Sequence, residues 1–203
     1  MGRDRSTTDA AFGFQVWGPL KGAHWYAVAT NPTVGMYIGH SVEDAGTTYA
    51  TKKRGNLQGV VHEETGAAGT MVGAVIAIED YLGQPAQCIA ATTTGDGVIS
   101  GYVLVADHPD QEFVVAEDGV TSSIVAANVG LNVDGVGTGN NSNTYISTME
   151  IDSDTINVTA TLGWKVLGVH PDDSLSAAGA AGNHCRFIVK CNSHWRGHNV
   201  ASV

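Results

Sequence analysis

The feature of this chain that most constrains its fold is the alternation of short β-branched runs with glycine-rich breaks. The sequence contains 26 glycines in 203 residues, and 7% of its residues are aromatic. Val, Ile and Thr pack well on pleated sheets, whereas glycine supplies the backbone freedom that tight turns need. Short strands expose many edges, which a chain hides by closing a barrel or packing two sheets face to face. The pattern therefore predicts an all-β protein, an antiparallel β-barrel or sandwich that is jelly-roll-like and has long glycine-rich loops.

One run leaves a second interpretation open. Residues 70–82 (TMVGAVIAIEDYL) are apolar enough to form a buried helix. Against a helix, the run combines β-branched residues with Gly73, lies between Gly69 and Gly83, and lacks capping residues. We therefore expect a buried strand flanked by turns.

The charge of the chain limits its partners. Ten basic and twenty acidic residues give a formal net charge of −10, which opposes binding to nucleic-acid phosphates and to anionic membranes. The longest apolar run, residues 71–78, is far shorter than the ~20 residues of a membrane-spanning helix. The first residues also lack the apolar core of a signal peptide. We expect neither a nucleic-acid nor a membrane partner, and synthesis in the cytoplasm.

A stretch near the C-terminus superficially resembles a zinc site. Its candidate ligands are His184, Cys185, Cys191, His194 and His198. An alternating strand pattern joins the two cysteines and separates them by roughly 20 Å at ~3.3 Å per residue. That distance excludes one zinc ion held by both sulfurs, and it excludes a disulfide between them. We predict reduced thiols, no required metal and no cofactor; a residual metal site would use the last two histidines.

Residues 101–119 (GYVLVADHPDQEFVVAEDG) raise the question of a catalytic acid–histidine pair. Two β runs flank Pro109 and Asp110, which suit the central positions of a type I turn. We therefore predict a hairpin whose polar tip, with Asp107 and His108, is solvated. A catalytic carboxylate needs a partly buried environment, and no phosphate-binding loop, nucleophile elbow or zinc-protease motif occurs. The prediction is a protein that is not an enzyme.

Several motifs occur in an order that resembles a known family. In chain order they are FGFQVWGPLKGA (12–23), YIGHSVE (37–43), VLVADHPDQEFVVAEDG (103–119), ANVGLNVD (127–134) and the stretch from TATLGWKVLGV to HCRFIVKCNSH (159–194). The chain resembles structural proteins found among the head genes of tailed bacteriophages, from Phe12 to about His194. The chain departs from the usual residues of this family at His108, His170 and Cys185. These positions lie at expected loop tips and at the start of the last strand.

The resemblance implies a virion protein, and most directly a capsid decoration or cement protein that binds the outside of the major capsid protein shell and stabilises it. Its partners would be the major capsid protein and further copies of itself, as a dimer or a trimer. It would be made in the host cytoplasm and then occupy the outer capsid surface. Repetition over a symmetric shell would combine modest contacts into strong avidity.

Two other functional classes stay open. A phage tail or receptor-binding module would use exposed aromatic residues as a sugar platform, for which Trp25, Tyr26 and Trp195 are candidates. A small β-barrel hydrolase would pair a histidine with a nearby acid. The histidines considered for that role are His24, His62 and His170.

The first eleven residues, MGRDRSTTDAA, are polar and follow neither strand nor helix periodicity. We predict an extended arm over residues 1–11 that becomes ordered on a partner, followed by a single β domain over residues 12–203. The arginines of the arm would pair with acidic groups of the partner, and aromatic residues would anchor its base in the barrel. The predicted interface residues are Arg3, Arg5, Phe12, Phe14 and Trp17. The alternative is an arm that folds back on its own domain.

Overall fold

The structure is a computed structural model that describes residues 11–63, 70–119, 124–137, 139–140, 143–173 and 184–196. These residues form fourteen strands and two short 3₁₀ turns, with no α-helix among them. The predicted all-β class is confirmed. The strands are β1 (Gln15–Trp17), β2 (Ala23–Ala29), β3 (Met36–Tyr37), β4 (Ser41–Thr51), β5 (Gly55–His62), β6 (Met71–Asp80), β7 (Cys88–Ile89), β8 (Ile99–Ala106), β9 (Glu112–Ala116), β10 (Asn132–Val133), β11 (Gly135–Val136), β12 (Glu150–Ile151), β13 (Trp164–Val169) and β14 (Arg186–Cys191).

Five of these strands close into a ring in the order β2–β5–β4–β6–β8. Four of the neighbouring pairs are antiparallel, but β2 and β5 run parallel, with Ala27 opposite Gly59. Parallel neighbours need a long connection, which β3 and β4 provide between them. The expectation of a purely antiparallel arrangement is therefore wrong at this one pair.

Side chains alternate between the inside and the outside of the ring, as pleated strands require. On β2, Tyr26 and Val28 lie in the inner core, whereas Trp25 and Ala27 belong to a separate outer cluster with Tyr102. The inner core consists of Tyr26, Val28, Met36, Val42, Val60, Val72, Val75, Ile78, Ile89, Val103 and Val105. Most of these core residues are valine or isoleucine, which accounts for the β-branched runs in the sequence.

The strand interpretation of residues 70–82 is confirmed, because Met71–Asp80 form β6. Gly73 allows this strand to approach its neighbour β8. Its φ of +148° is one that residues with a side chain rarely adopt, and a Cβ at this position would lie 2.0 Å from the carbonyl oxygen of Ala106. The glycine thus serves a close backbone approach between two ring strands.

A second sheet has the order β1–β9–β14–β13–β10, with every neighbouring pair antiparallel. The Trp164 indole is the largest fully buried side chain, and it stacks on the Phe14 ring with the centroids 4.2 Å apart. The same core includes Met71 of β6 and Ala106 at the end of β8, and both of these strands belong to the ring. The sheet therefore packs against the ring through a shared apolar core.

The predicted hairpin over residues 101–119 is wrong. Its turn forms, since the amide of Gln111 donates to the carbonyl of His108 over 2.8 Å. However, β8 pairs with β2 and β6, whereas β9 pairs with β1 and β14. Both edges of β8 are occupied by the ring strands β2 and β6, so no edge is left for β9. The turn carries the chain from the ring into the second sheet.

The glycine- and asparagine-rich residues 134–143 include one short strand among their described positions. This strand is β11, which pairs with β12 through Gly135 opposite Ile151. The strand β12 itself has only two residues, Glu150 and Ile151.

Candidate functional site

The carboxylate of Asp107, which directly follows β8, is 1% exposed. The prediction that this residue is solvated at a hairpin tip is therefore wrong. Both of its oxygens lie close to Nδ1 of His24, at 2.9 Å for Oδ1 and 2.8 Å for Oδ2. The Tyr26 hydroxyl donates to Oδ2 over 2.5 Å, and a guanidinium nitrogen of Arg196 lies 3.4 Å from the same oxygen. We call Asp107, His24, Tyr26 and Arg196 the Asp107 cluster.

The geometry of two strands assembles this cluster. His24 and Tyr26 are two residues apart on β2, so they share its inner face. Because β2 and β8 are antiparallel with His24 opposite Val105, the residue two positions further along, Asp107, reaches the same face. The acid and the imidazole are 83 residues apart in sequence. No local motif records their contact, which is why the sequence reasoning missed it.

The hydrogen bonds of the Asp107 cluster fix its protonation pattern. The Tyr26 hydroxyl is a donor, so the Asp107 carboxylate accepts its hydrogen bond, and the Arg196 guanidinium forms an ion pair with the same carboxylate at 3.4 Å. Burial raises the pKa of Tyr26, and the hydrogen bond to Asp107 and its charge add to the effect, so the hydroxyl keeps its proton. The carboxylate also requires a donor at Nδ1 of His24. Neutral His24 is thus the Nδ1–H tautomer, with a lone pair on Nε2.

The Asp107 cluster opens to solvent through its basic members. The side chain of His24 is 61% exposed and that of Arg196 is 43% exposed. The Arg196 guanidinium also lies 4.4 Å from the ring centre of Trp195. The arrangement is an accessible imidazole held from behind by a buried carboxylate.

The neighbouring turn residues behave as predicted for a solvated tip. His108 and Asp110 are both exposed. Nδ1 of His108 accepts a hydrogen bond from the backbone amide of Asp110 over 3.1 Å. The acid–histidine stretch therefore divides into an exposed turn and one buried acid, Asp107.

The other two histidines considered for a hydrolase lack this arrangement. His62 and His170 are 6% and 7% exposed. The His62 ring lies 4.8 Å from that of His40, and burial lowers the pKa of His40 to about 3. Nδ1 of His170 is 3.8 Å from Asp172, whose side chain is 74% exposed. Neither pairs an exposed imidazole with a buried carboxylate.

A second buried acid, Glu63, lies between the ring and the second sheet. Its Oε2 accepts hydrogen bonds from the Ser41 hydroxyl and, over 3.4 Å, from the Trp164 indole. Burial raises the pKa of Glu63 to about 7. A Cβ added to Gly135 would lie 2.9 Å from the same oxygen. The carboxyl is enclosed and 1% exposed, so it affects stability and is not available to a substrate.

The predicted interface residues are placed in part. Arg3 and Arg5 lie outside the described residues. Phe14 is 1% exposed and packs in the core of the second sheet, and the Trp17 ring meets that of His170 at 4.7 Å. Phe12 is half-buried. The base of the arm therefore packs on the second sheet rather than inside the ring.

The cysteine and histidine stretch contains the strand predicted for it. Cys185 precedes β14 and Cys191 ends it, and all three cysteines are free thiols. Nε2 of His194 is 3.1 Å from the carbonyl oxygen of Val72, and His198 lies outside the described residues. In the part of the chain that the structure describes, no group of three or more metal-ligating side chains is found.

Within those same ranges, no helix has the length and apolar character needed to cross a bilayer. Comparisons of the chain with protein-family models, with curated proteins and with solved structures give no match.

Proposed function

We propose that this chain is a bacteriophage head protein, a capsid decoration or cement protein that binds the outside of the major capsid protein shell. The proposal starts from the motifs that resemble tailed-phage head proteins. One structural observation supports it, namely that three of those motifs, far apart in sequence, supply four neighbouring strands of one sheet.

The supporting contacts run through the second sheet. The FGFQVW motif contributes β1, the QEFVVA segment β9, the CRFIVKC segment β14 and the GWKVLGV segment β13, and these four strands are adjacent. Their side chains meet at Trp164, which stacks on Phe14 and contacts Phe113 edge to face at 5.4 Å. Motifs whose residues build one sheet and its core are expected to occur together in proteins that share this fold. Their shared order along the chain therefore supports a fold in common with the phage head proteins.

Charge favours the outer surface of a capsid over the inner one. The formal net charge of −10 opposes contact with packaged DNA. Binding to the shell needs no catalysis, metal or cofactor, and we propose none for this role. The proposed partners are the major capsid protein and other copies of the chain, as a dimer or a trimer.

The finer description of the fold is also a proposal. Within the all-β class we propose a barrel of jelly-roll type; the closed ring of five strands supports the barrel part of this proposal.

The tail or receptor-binding alternative receives less support from its aromatic candidates. Tyr26 is 2% exposed. The Trp25 ring is covered by the guanidinium of Arg54, 4.0 Å from the ring centre, and Trp195 is partly buried against the ring core under Arg196. A sugar platform needs an open aromatic face, which these contacts occupy.

The proposal is tested on particles of the virus whose genome encodes the chain. Heads and tails are separated, and the chain is located by mass spectrometry and in a particle reconstruction. We expect it in the heads, in many copies on the outer surface, where protease added to intact particles reaches it. Its recovery in tails alone, or its absence from particles, would contradict the proposal.

A further inference from the structure

We propose that His24 is a nucleophilic imidazole that accepts an acyl group from activated esters and passes it to water. This activity is independent of the proposed capsid role. It follows from the Asp107 cluster, which holds one nitrogen of an exposed imidazole against a buried carboxylate and leaves the other nitrogen accessible.

The tautomer supplies the nucleophile. Asp107 holds Nδ1 of His24 at 2.8 and 2.9 Å, so the proton of the neutral ring is on Nδ1 and the lone pair is on Nε2. Among the described residues, no hydrogen bond to Nε2 is found, and 61% of the side chain is exposed. An ester in solution can therefore reach the lone pair without any movement of the fold.

The reaction balances with ester and water alone. The Nε2 lone pair forms a bond to the carbonyl carbon, the bond from that carbon to the alcohol oxygen breaks, and the alcohol leaves as its anion. The ring is then an acyl-imidazolium that retains the proton on Nδ1. Water attacks the acyl carbon, one of its protons passes to the alcohol anion, and the carbon–nitrogen bond breaks. A carboxylic acid and the alcohol are then free, and the neutral ring is restored with its proton on Nδ1.

Asp107 acts as a positioning residue in this reaction. The positive charge that develops on the ring lies 2.8 Å from a carboxylate oxygen and is attracted to it. The Arg196 guanidinium, 3.4 Å from the same oxygen, offsets part of this attraction. Tyr26 donates to the same carboxylate over 2.5 Å, which holds the carboxylate in place. Because Asp107 is 1% exposed, this arrangement is formed before any ester binds.

The described histidines differ in the exposure of the ring and in whether a carboxylate lies beside Nδ1. His40, His62, His170 and His194 are each buried, so an ester does not reach them. Nδ1 of His184 lies 3.3 Å from Oε1 of Glu150, but the His184 side chain is only 17% exposed. His108 is exposed, but its Nδ1 accepts from the Asp110 amide. No carboxylate among the described residues forms an ion pair with its ring, so it serves as the matched control.

The test uses the full chain and two reagents. Release of p-nitrophenolate from p-nitrophenyl acetate measures acyl transfer, and mass spectrometry after brief treatment with diethyl pyrocarbonate measures the reactivity of each histidine. We expect His24→Gln to lower the release rate about tenfold or more, and His108→Gln to leave it unchanged. His24 is expected to be labelled before His108.

The role of Asp107 is tested with Asp107→Asn, provided that the variant unfolds at a temperature close to that of the wild type. We expect a slower release and, by nitrogen NMR of the imidazole, loss of the fixed Nδ1–H tautomer, a change that a purely structural role would not produce. Any of three results would overturn the proposal. These are a release rate for His24→Gln equal to that of the wild type, equal labelling of His24 and His108, and an unchanged His24 tautomer in Asp107→Asn. His24→Gln alters an exposed side chain, so the test does not depend on the buried substitution.

Discussion

The Phe14 ring lies parallel to the Trp164 indole, with centroids 4.2 Å apart and an interplanar angle of 17°. The two residues are 150 positions apart, and their contact joins the start of the described chain to β13. Stacking of two aromatic rings adds to the free energy gained by burying them.

Replacing Phe14 by Ala is therefore expected to lower the free energy of unfolding by about 3–5 kcal/mol, because it removes a buried ring and leaves a cavity beside Trp164. Denaturant unfolding followed by Trp fluorescence measures the change. Val158 is 51% exposed, and Val158→Ala is the control, with an expected change within about 0.5 kcal/mol. Similar effects of the two substitutions would show that the stack does not stabilise the fold.

Gly73→Ala is expected to destabilise the ring by about 2–3 kcal/mol, since the new Cβ would lie 2.0 Å from the Ala106 carbonyl oxygen at a φ of +148°. Gly168→Ala provides the comparison, because a Cβ at that position of β13 meets nothing within 4 Å. Thermal unfolding of both variants measures the difference. If Gly73→Ala were tolerated as well as Gly168→Ala, the close approach of β6 to β8 would be refuted.

The stability of the fold is expected to depend on pH through Glu63. Its pKa in the folded protein, about 7, lies above the ordinary value of 4.5. The folded state therefore keeps a proton that the unfolded chain releases between these pH values. The stabilisation from this group is complete below about pH 4.5 and is lost as the pH rises through 7, a loss on the order of 3 kcal/mol.

Unfolding curves of the wild type and Glu63→Gln from pH 4 to pH 8 test this. The free energy of unfolding of the wild type is expected to fall relative to that of the variant, because the substituted amide carries no titrating proton. Ser41→Ala removes a hydrogen bond that lowers the pKa of Glu63, so it should move the fall to higher pH. Parallel curves for wild type and Glu63→Gln would exclude a titrating Glu63.

The strands themselves could largely be predicted from sequence, because β-branched runs such as β6 and β14 are bounded by glycine or polar residues. The pairing of β8 could not. Two β runs joined by a turn at Pro109 and Asp110 favour a hairpin locally, whereas the actual partners of β8 are chosen by apolar side chains far away in sequence. The error in pairing also hid the site, since Asp107 is buried only when β8 lies beside β2.

The predicted arm gives a further test. Deleting residues 1–10 is expected to weaken binding to capsids, because it removes Arg3 and Arg5, the proposed partners of acidic groups on the shell. The double substitution Arg3→Gln and Arg5→Gln keeps the length of the arm and should give most of the same loss. If the truncated chain fills the capsid sites and is released at the same temperature as the wild type, the arm does not contribute and the β domain alone binds the capsid.

The central claim is tested most directly by adding the purified chain to capsids that lack it. A cement protein is expected to bind the outer surface saturably, at a fixed number of copies per shell, and to raise the temperature at which the capsids come apart. Capsids that bind no chain, or that bind it without any change in that temperature, would contradict a cement function.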